Sequence, residues 1–194
     1  FIFQGMLYAN WRDNVVKIGM DVVITLTLSI IMPWWASLII AHTVNYCING
    51  QAICVFYHIR AGNSTVQQFY DGTVAMKKRL DGCKYMAAAI SYGSLSTGKW
   101  HPSSDIDIRF IPKKGEWNYW MATLWAVGER TRAFFKGYPL DMYVFTMQHS
   151  YNVMNKTEVP IVFKDIDNNH KLYYKKVMNF EEFCRMFQKM HLKR

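Results

Sequence analysis

Residues 86–111 read MAAAISYGSLSTGKWHPSSDIDIRFI, and this stretch determines the predicted fold. Its first part, Met86 to Tyr92, is short, apolar and uncharged, as expected of a buried strand. Its last part, Asp105 to Ile111, alternates between charged and apolar residues, which predicts a strand with one apolar face. A loop rich in Ser, Gly and Pro joins the two parts. The stretch therefore predicts two strands of a small sheet.

Segments on both sides of this stretch add helices and further strands. In three of them apolar residues repeat at three- and four-residue steps, which predicts amphipathic helices. These segments run from Thr65 to Gly82, from Gly115 to Lys136, and from Asn179 to the basic C-terminus. Short strands are predicted over Leu140–Met147 and Val159–Phe163. We therefore predict an α/β fold, with a small mixed sheet flanked by helices, in a domain of residues 63–194.

Three aspartates are the candidate catalytic residues. Asp105 and Asp107 are two positions apart on one strand, so their side chains point to the same face. Paired carboxylates suit Mg²⁺, which prefers oxygen ligands and keeps positions open for phosphate oxygens. A third carboxylate, Asp141, opens a later strand, which could lie beside the first and complete a metal cage for nucleotidyl transfer. Taken without further context, Asp105 and Asp107 are more simply explained as a solvated strand face.

The context is a Gly-Ser pair at a fixed spacing. Gly93-Ser94 precedes Asp105-Ile106-Asp107 by ten residues, and Asp141 follows 34 residues after Asp107. This arrangement resembles the minimal nucleotidyltransferase domain of the DNA polymerase beta type superfamily, over about half the chain, from Thr65 to about Asp167.

The resemblance implies a role for each of these residues. Gly93 and Ser94 would bind the triphosphate, and Asp105 and Asp107 would hold two Mg²⁺ ions, with Mn²⁺ as the alternative. Asp141 would bind one of the ions and help to deprotonate the acceptor. The implied reaction is attack of an acceptor hydroxyl or phosphate on the α phosphorus of a nucleoside triphosphate, with pyrophosphate leaving.

A P-loop is the competing interpretation of the same glycines. Gly93 to Lys99 matches the P-loop pattern, but Trp100 stands where a Ser or Thr should bind magnesium. Pro102 and the strand pattern after it also replace the helix that a P-loop requires. Lys99 remains a candidate for nucleotide binding through phosphate contact, although a solvated loop lysine is the more common case.

A long uncharged segment precedes the predicted domain. Residues 22–48 (VVITLTLSIIMPWWASLIIAHTVNYCI) contain no Asp, Glu, Lys or Arg, and about 20 such residues suffice to cross a bilayer. Pro33 interrupts the segment and is followed by Trp34 and Trp35, which are typical of membrane interfaces. The sequence predicts a membrane-associated helical region in residues 1–62, either a re-entrant or interfacial helix pair or a kinked single span. A buried soluble helix is the less favoured alternative.

The whole chain is basic, with 23 Lys and Arg against 14 Asp and Glu and a net charge of +9. This balance suits anionic partners such as nucleotides or an acidic membrane surface. Nucleic acid is not an expected partner, because no RNP, zinc-finger or helix-turn-helix pattern accompanies the basic residues. The four cysteines are scattered and are predicted to be reduced thiols. The chain begins with Phe1 rather than Met, which is compatible with a start inside a longer polypeptide.

Together these features predict a Mg²⁺-dependent nucleotidyltransferase that is membrane-associated, with its catalytic domain in the cytoplasm. Its partners would be a nucleoside triphosphate and a membrane lipid surface, and its acceptor would belong to a membrane-linked glycan or lipid pathway. The alternative is a non-catalytic subunit of the same fold that binds a membrane enzyme partner such as a glycosyltransferase. A third hypothesis, a nucleotidyltransferase of toxin or antitoxin type that modifies protein or tRNA, is disfavoured by the membrane segment.

Overall fold

The computed structural model describes residues 6, 9–50, 52–58 and 65–192. The helices are α1 (Trp11–Leu28), α2 (Trp34–Asn49), α3 (Ala52–His58), α4 (Val66–Gly82), α5 (Glu116–Lys136), α6 (Met147–Val153) and α7 (Phe180–Phe187). The strands are β1 (Met86–Tyr92), β2 (Ile106–Pro112), β3 (Leu140–Val144), β4 (Ile161–Asp165) and β5 (Met178–Asn179). Short 3-10 turns, Ser94–Thr97 and Asn169–Leu172, follow β1 and β4.

The five strands form one mixed sheet in the order β3-β2-β1-β4-β5. β1 is antiparallel to β2 and β4, whereas β2 pairs with β3, and β4 with β5, in parallel. The parallel β2–β3 pair is connected by α5, since parallel neighbours need a crossover of this kind. The predicted α/β fold with a small mixed sheet is confirmed.

The alternation along β2 assigns one face of the sheet to the core. Ile106, Ile108 and Phe110 are fully buried and belong to the main hydrophobic cluster, together with residues of α4, α5 and α7. Phe110 also stacks on Trp125 of α5, with ring centroids 5.2 Å apart. Residues of opposite parity, Asp107 among them, therefore point to the other face.

Capping residues fix the predicted helix boundaries. Thr65 and Gln68 form a capping box at the start of α4, and Asn179 and Glu182 form another at the start of α7. Gly137 ends α5 in the left-handed conformation, with φ 60°. The predicted helices thus begin and end within a residue or two of the observed ones, except that the last ends in a π turn from Gln188.

The predicted strands after α5 differ from the observed ones. The strand predicted over Leu140–Met147 ends at Val144, because the Thr146 hydroxyl accepts a hydrogen bond from the His149 N–H and starts α6. The strand predicted over Val159–Phe163 begins two residues later, after Pro160, which has no N–H to contribute to a ladder. The two-residue β5 was not predicted at all.

α1 and α2 form an antiparallel hairpin whose turn covers residues 29–33. The predicted break at Pro33 is confirmed, since Pro33 is the N-cap of α2. His42 of α2 pairs with Asp21 of α1 at 3.1 Å, so the two helices fold back on each other and do not form a kinked single helix. Among the described residues, no helix combines the length and apolar composition needed to span a bilayer.

A buried ion cluster holds the base of this hairpin against α5. Asp13 accepts hydrogen bonds from both terminal nitrogens of Arg130, at 2.6 and 3.3 Å, and lies 3.3 Å from the Lys17 ammonium. All three side chains are 1% exposed. Asp13 and Lys17 belong to α1 and Arg130 to α5, so the cluster fixes the hairpin to the domain.

Candidate active site

Two of the predicted carboxylates meet on neighbouring strands. β2 and β3 are parallel, and their register sets Asp107 opposite Asp141. On the other side of β2, Tyr92 at the end of β1 is also opposite Asp107. Because opposite residues of neighbouring strands share one face of a sheet, these three polar side chains lie together. Their face is the one turned away from α4 and α5.

Arg109 joins the carboxylates on this face. Its Nη2 donates to Asp107 Oδ1 at 3.0 Å, and its Nη1 lies 3.5 Å from Asp141 Oδ2. The Nε donates to the Tyr92 hydroxyl at 2.9 Å, and the guanidinium lies 5.3 Å from the ring centre of Tyr143. Burial lowers the pKa of Arg109, but Asp141 and Asp107 raise it above its usual range. One permanent positive charge therefore faces two carboxylates.

The paired carboxylates have the character of a cation site. Burial, and then the facing Asp141 carboxylate, raise the pKa of Asp107 from 3.8 to about 8. Asp141 Oδ1 is buried without a hydrogen-bond partner among the described residues. Two partly buried carboxylates are unfavourable unless a proton or a cation joins them, and Arg109 supplies one positive charge for the two. Oxygen donors of this kind fit Mg²⁺, and so the residues present fit the predicted ion.

Gly93 brings the turn after β1 against Asp107. Its φ is +95°, which a side chain rarely adopts, and a Cβ built on it would lie 2.7 Å from Asp107 Oδ2. Its N–H donates to Glu158 Oε2 at 2.7 Å. The carboxylate of Glu158 therefore accepts a hydrogen bond from the turn N–H that, by the family resemblance, would bind the triphosphate.

The other predicted site residues lie around this centre. Asp105 precedes β2, is partly exposed, and is close enough to contribute to the raised pKa of Asp107 after burial and Asp141. Ser94 begins the 3-10 turn, but its side chain lies outside the described residues. Lys99 is exposed at the far end of the turn, beside Gly98, whose carbonyl accepts from His191 Nε2 at 3.1 Å.

The structure thus brings together Gly93, Asp107 and Asp141, with Asp105 at the margin. Within the described residues, no group of three or more His, Cys, Asp or Glu side chains is arranged to hold a metal ion. A cage built from all three aspartates stays a prediction. The P-loop alternative is wrong, because β2 and not a helix follows the turn.

A cavity of about 670 Å³ lies between α4 and α5, on the face of the sheet opposite the carboxylates. It contains the basic side chains of Arg79, Arg132 and Lys136, but Arg79 and Arg132 both pair with Glu129. None of the predicted site residues is among its described lining. We therefore place the candidate site at the carboxylates and not in this cavity.

The sequence places Arg109 on the same face as Asp107, as a possible contact to nucleotide or acceptor, because it lies two positions further along the strand. Tyr92 and Glu158 are the residues that the sequence does not predict. Tyr92 becomes a neighbour only once the β1–β2 register is known. Glu158 lies in the loop before β4, and no sequence signal places it at the Gly93 amide.

We expect the metal-free protein to lose stability as the pH rises from about 4 to about 8. Because the pKa of Asp107 is raised from 3.8 to about 8 on folding, the folded state binds more protons in this range, and its free energy of unfolding falls with increasing pH. The difference in pKa sets an upper limit of about 6 kcal/mol, and we expect about 1–3 kcal/mol because the site relaxes. Urea unfolding in EDTA at pH 5 and pH 8 measures the effect.

The Asp107→Asn variant should lose this pH dependence and be the more stable protein at pH 8. Asp167→Asn, which removes an exposed carboxylate, is the matched control and should keep the wild-type slope. Equal slopes for wild type and Asp107→Asn would contradict the partly buried pair of like charges.

Comparison of the chain with protein-family models, with curated proteins and with solved structures found no significant match.

Proposed function

We propose that the protein is a metal-dependent nucleotidyltransferase that moves an NMP group from an NTP to an acceptor hydroxyl or phosphate. One observation carries the proposal: Asp107 and Asp141 face each other in register, beside a turn in which Gly93 leaves no space for a side chain. Two carboxylates at the end of a sheet, next to a glycine turn, are what this chemistry needs.

Each residue has a role in the proposed reaction. Asp107 and Asp141, with Asp105 at the margin, would hold Mg²⁺, which when bound supplies neutralisation of the triphosphate charge. The backbone N–H of Gly93 would donate to a phosphate oxygen, as turn amides do in anion sites. Asp141 would accept the proton of the acceptor while the acceptor oxygen attacks the α phosphorus. The bond to the bridging oxygen then breaks, and pyrophosphate leaves with the electron pair.

The membrane segment supports a membrane-linked acceptor. Among the exposed side chains of the hairpin are Ile30, Ile31 and Trp34, which are 82%, 78% and 66% exposed. Exposed apolar surface of this kind is typical of proteins that work at membranes or on membrane partners. We therefore keep the acceptor within a membrane-linked glycan or lipid pathway, and we place the domain on the cytoplasmic side, where NTPs are found.

Isothermal titration of the full chain in mild detergent tests the proposal. Each of the four NTPs is titrated with Mg²⁺ or Mn²⁺ into wild type and into the Asp107→Asn, Asp141→Asn double variant. We expect one NTP to bind in a metal-dependent way and the double variant to lose that binding. Absence of NTP binding to folded wild-type protein would overturn the enzyme proposal.

Glu158 should oppose NTP binding, because its carboxylate occupies the Gly93 N–H. We expect Glu158→Ala to bind the preferred NTP about 10- to 150-fold more tightly, since a hydrogen bond to a charged group contributes about 1.5–3 kcal/mol and about 1.4 kcal/mol corresponds to ten-fold in affinity. Glu158→Gln, which keeps an acceptor oxygen but loses the charge, should fall between the two. The dissociation constants from titration measure the effect.

The control for this prediction is Glu181→Ala, which removes the same charge from the exposed side of α7. It should leave NTP affinity within about two-fold of wild type, because a distant exposed charge is screened. Tighter binding by both alanine variants would show a general charge effect, and weaker binding by Glu158→Ala would show that Glu158 belongs to the binding site itself.

One observation favours the alternative of a non-catalytic subunit that binds a membrane enzyme partner. The Arg109 guanidinium bonds Asp107 and lies near Asp141, so it supplies the positive charge that a metal ion would otherwise bring. Arg109→Leu discriminates the two functions. It should strengthen metal binding in an enzyme, whereas in a non-catalytic subunit it should leave two unpaired carboxylates and lower the melting temperature without any gain in metal binding.

A further inference from the structure

The hairpin of α1 and α2 has its polar side chains inside and its apolar side chains outside. Along α2, the line that faces α1 consists of Ser37, Ala41, Asn45 and Asn49, which are all buried. The Asn45 amide donates to the Lys17 carbonyl at 2.6 Å and to Asp21 Oδ1 at 2.8 Å. A hairpin surrounded by water has the opposite arrangement, with its apolar side chains between the helices.

Between Trp34 and Val44, exposed apolar residues lie on three sides of α2, and elsewhere α2 also packs against α5 and α3. At 3.6 residues per turn, the exposed positions fall opposite the buried line and on both flanks of it. Opposite the line are Trp35 and Ile39, on one flank are Trp34 and Leu38, and on the other are Ile40 and Val44. A protein partner covers one side of a helix, whereas lipid surrounds it. This distribution on three sides therefore favours lipid as the occupant.

Four hydroxyl groups of the hairpin are satisfied within their own helices, whereas the Thr25 hydroxyl is buried without a partner among the described residues. The four donate to the carbonyl four residues earlier, at 2.8 to 3.2 Å: Thr27 to Val23, Ser29 to Thr25, Ser37 to Pro33, and Thr43 to Ile39. In a hydrocarbon environment a hydroxyl has no water to bond and must find such a partner. These four groups can therefore enter lipid without losing a hydrogen bond.

The uncharged part of the hairpin fits within the depth of one leaflet. From Val22 to the end of α1 at Leu28 the helix rises about 10 Å, and from Trp34 to Ala41, the last residue before His42, α2 rises about 12 Å. One leaflet of hydrocarbon is about 15 Å thick, half of a bilayer core of about 30 Å. The Asp21–His42 pair lies where the charged part of the hairpin begins.

We propose that residues 22–41 insert as a helical hairpin into a single leaflet of a lipid bilayer, with Ile30, Ile31, Trp34 and Trp35 at the deepest point. Four features indicate that lipid covers the hairpin: its inverted polarity, its apolar surface on three sides of α2, its internally bonded hydroxyls and its length. The insertion stands without the proposed nucleotidyl transfer, because it uses none of the carboxylates.

α3 connects this hairpin to the carboxylate site. It follows α2 directly and packs against β3 and α5. Its Cys54 is buried, and burial raises the pKa of the thiol, as do Asp105, Asp141 and Asp107. The electrostatic effect of the carboxylates therefore reaches α3, which adjoins the base of the hairpin. An inserted hairpin would hold the site close to the lipid headgroups.

Vesicle flotation tests the insertion on the full chain. The vesicles are phosphatidylcholine at high salt, so that the net charge of +9 contributes little. The tip variant Ile31→Glu, Trp34→Glu should lower the vesicle-bound fraction by about ten-fold or more, because charged side chains are costly in hydrocarbon. The control, Phe135→Glu, Leu172→Glu, replaces two equally exposed apolar residues outside the hairpin (79% each) and should bind as wild type does.

Fluorescence quenching by lipids brominated along the acyl chain measures the depth of the tip. We expect quenching in wild type and loss of the quenched component in Trp34→Phe, Trp35→Phe, which keeps the apolar surface. The Asp107→Asn, Asp141→Asn variant should float and be quenched like wild type, whatever its NTP binding. A failed NTP titration therefore leaves this result intact.

Three outcomes would overturn the insertion. The first is a folded wild-type protein, judged by circular dichroism, that does not float with vesicles. The second is equal loss of flotation in the tip and control variants, which would show general adhesion. The third is flotation without quenching of Trp34 and Trp35, together with self-association in light scattering, which would assign the apolar surface to another protein chain.

Discussion

Asp141→Asn should lower the rate of NMP transfer by about a thousand-fold or more while the protein stays folded. In the proposed reaction Asp141 both holds the ion and takes the proton of the acceptor, and loss of a general base alone typically lowers a rate by about 10²–10⁴. The substitution keeps the shape of the side chain and removes its charge. Its rate is measured as release of labelled pyrophosphate, with the NTP that binds and a membrane lipid extract as the source of acceptor.

The fold should not suffer from this substitution, because Asp141 is one of two partly buried like charges that face each other. We expect a melting temperature equal to or above that of wild type. Asp167→Asn, with its exposed carboxylate, should keep full activity. A thousand-fold loss accompanied by unfolding would not be evidence for a catalytic role of Asp141. An active, folded Asp141→Asn variant would exclude Asp141 from the proposed mechanism.

Asp13→Leu should destabilise the protein by about 3–5 kcal/mol, the largest effect on stability that we expect from one side chain. Asp13 is the only described carboxylate bonded to both Arg130 and Lys17, and its removal leaves two buried like charges facing each other. For a chain of this length each kcal/mol corresponds to about 2–4 °C in melting temperature. Thermal unfolding in one mild detergent measures the difference.

The triple variant Asp13→Leu, Lys17→Met, Arg130→Met separates loss of the cluster from loss of its charge balance. We expect it to recover most of the stability, because apolar residues can replace a buried ion cluster at little cost. Glu116→Ala, which breaks an exposed pair with Arg12, should cost less than about 1 kcal/mol. A triple variant as unstable as Asp13→Leu would show that packing, and not charge, holds the hairpin base.

The same cluster gives a pH dependence with a defined sign. Burial opposes ionisation of Asp13, but Arg130 and then Lys17 lower its pKa below the ordinary 3.8. The folded state therefore binds fewer protons than the unfolded state near that pH. The stabilising contribution of Asp13 is present above about pH 4 and is lost as the pH falls through the lower folded-state value.

Local sequence signals predicted most of the fold. The alternation after Asp105 and the uncharged run from Met86 predicted β1 and β2, because strand periodicity depends only on neighbouring residues. Pro33 predicted the turn of the hairpin for a similar reason. What local signals could not predict was β5, whose two residues form a strand only by pairing with β4.

The sequence predicted which residues belong to the site but not how they are arranged in space. The family resemblance implied that Gly93, Asp107 and Asp141 belong to one site, and in the structure these residues are neighbours. Strand register and loop path depend on long-range pairing, and these set Arg109 between the carboxylates and Glu158 on the Gly93 amide. Neither contact follows from the spacing of motifs along the chain.

Position 93 accepts only glycine for two separate reasons, its φ of +95° and the 2.7 Å approach of Asp107 Oδ2 to the space that a Cβ would fill. The second reason exists only while an acidic side chain stands at 107. In a diverging lineage, loss of the aspartate would remove the steric demand but not the demand of the backbone, so a side chain at 93 also requires a change in the path of the turn. A residue other than glycine at this position, in a chain of this fold, would therefore indicate that both the turn and the carboxylate contact have been lost.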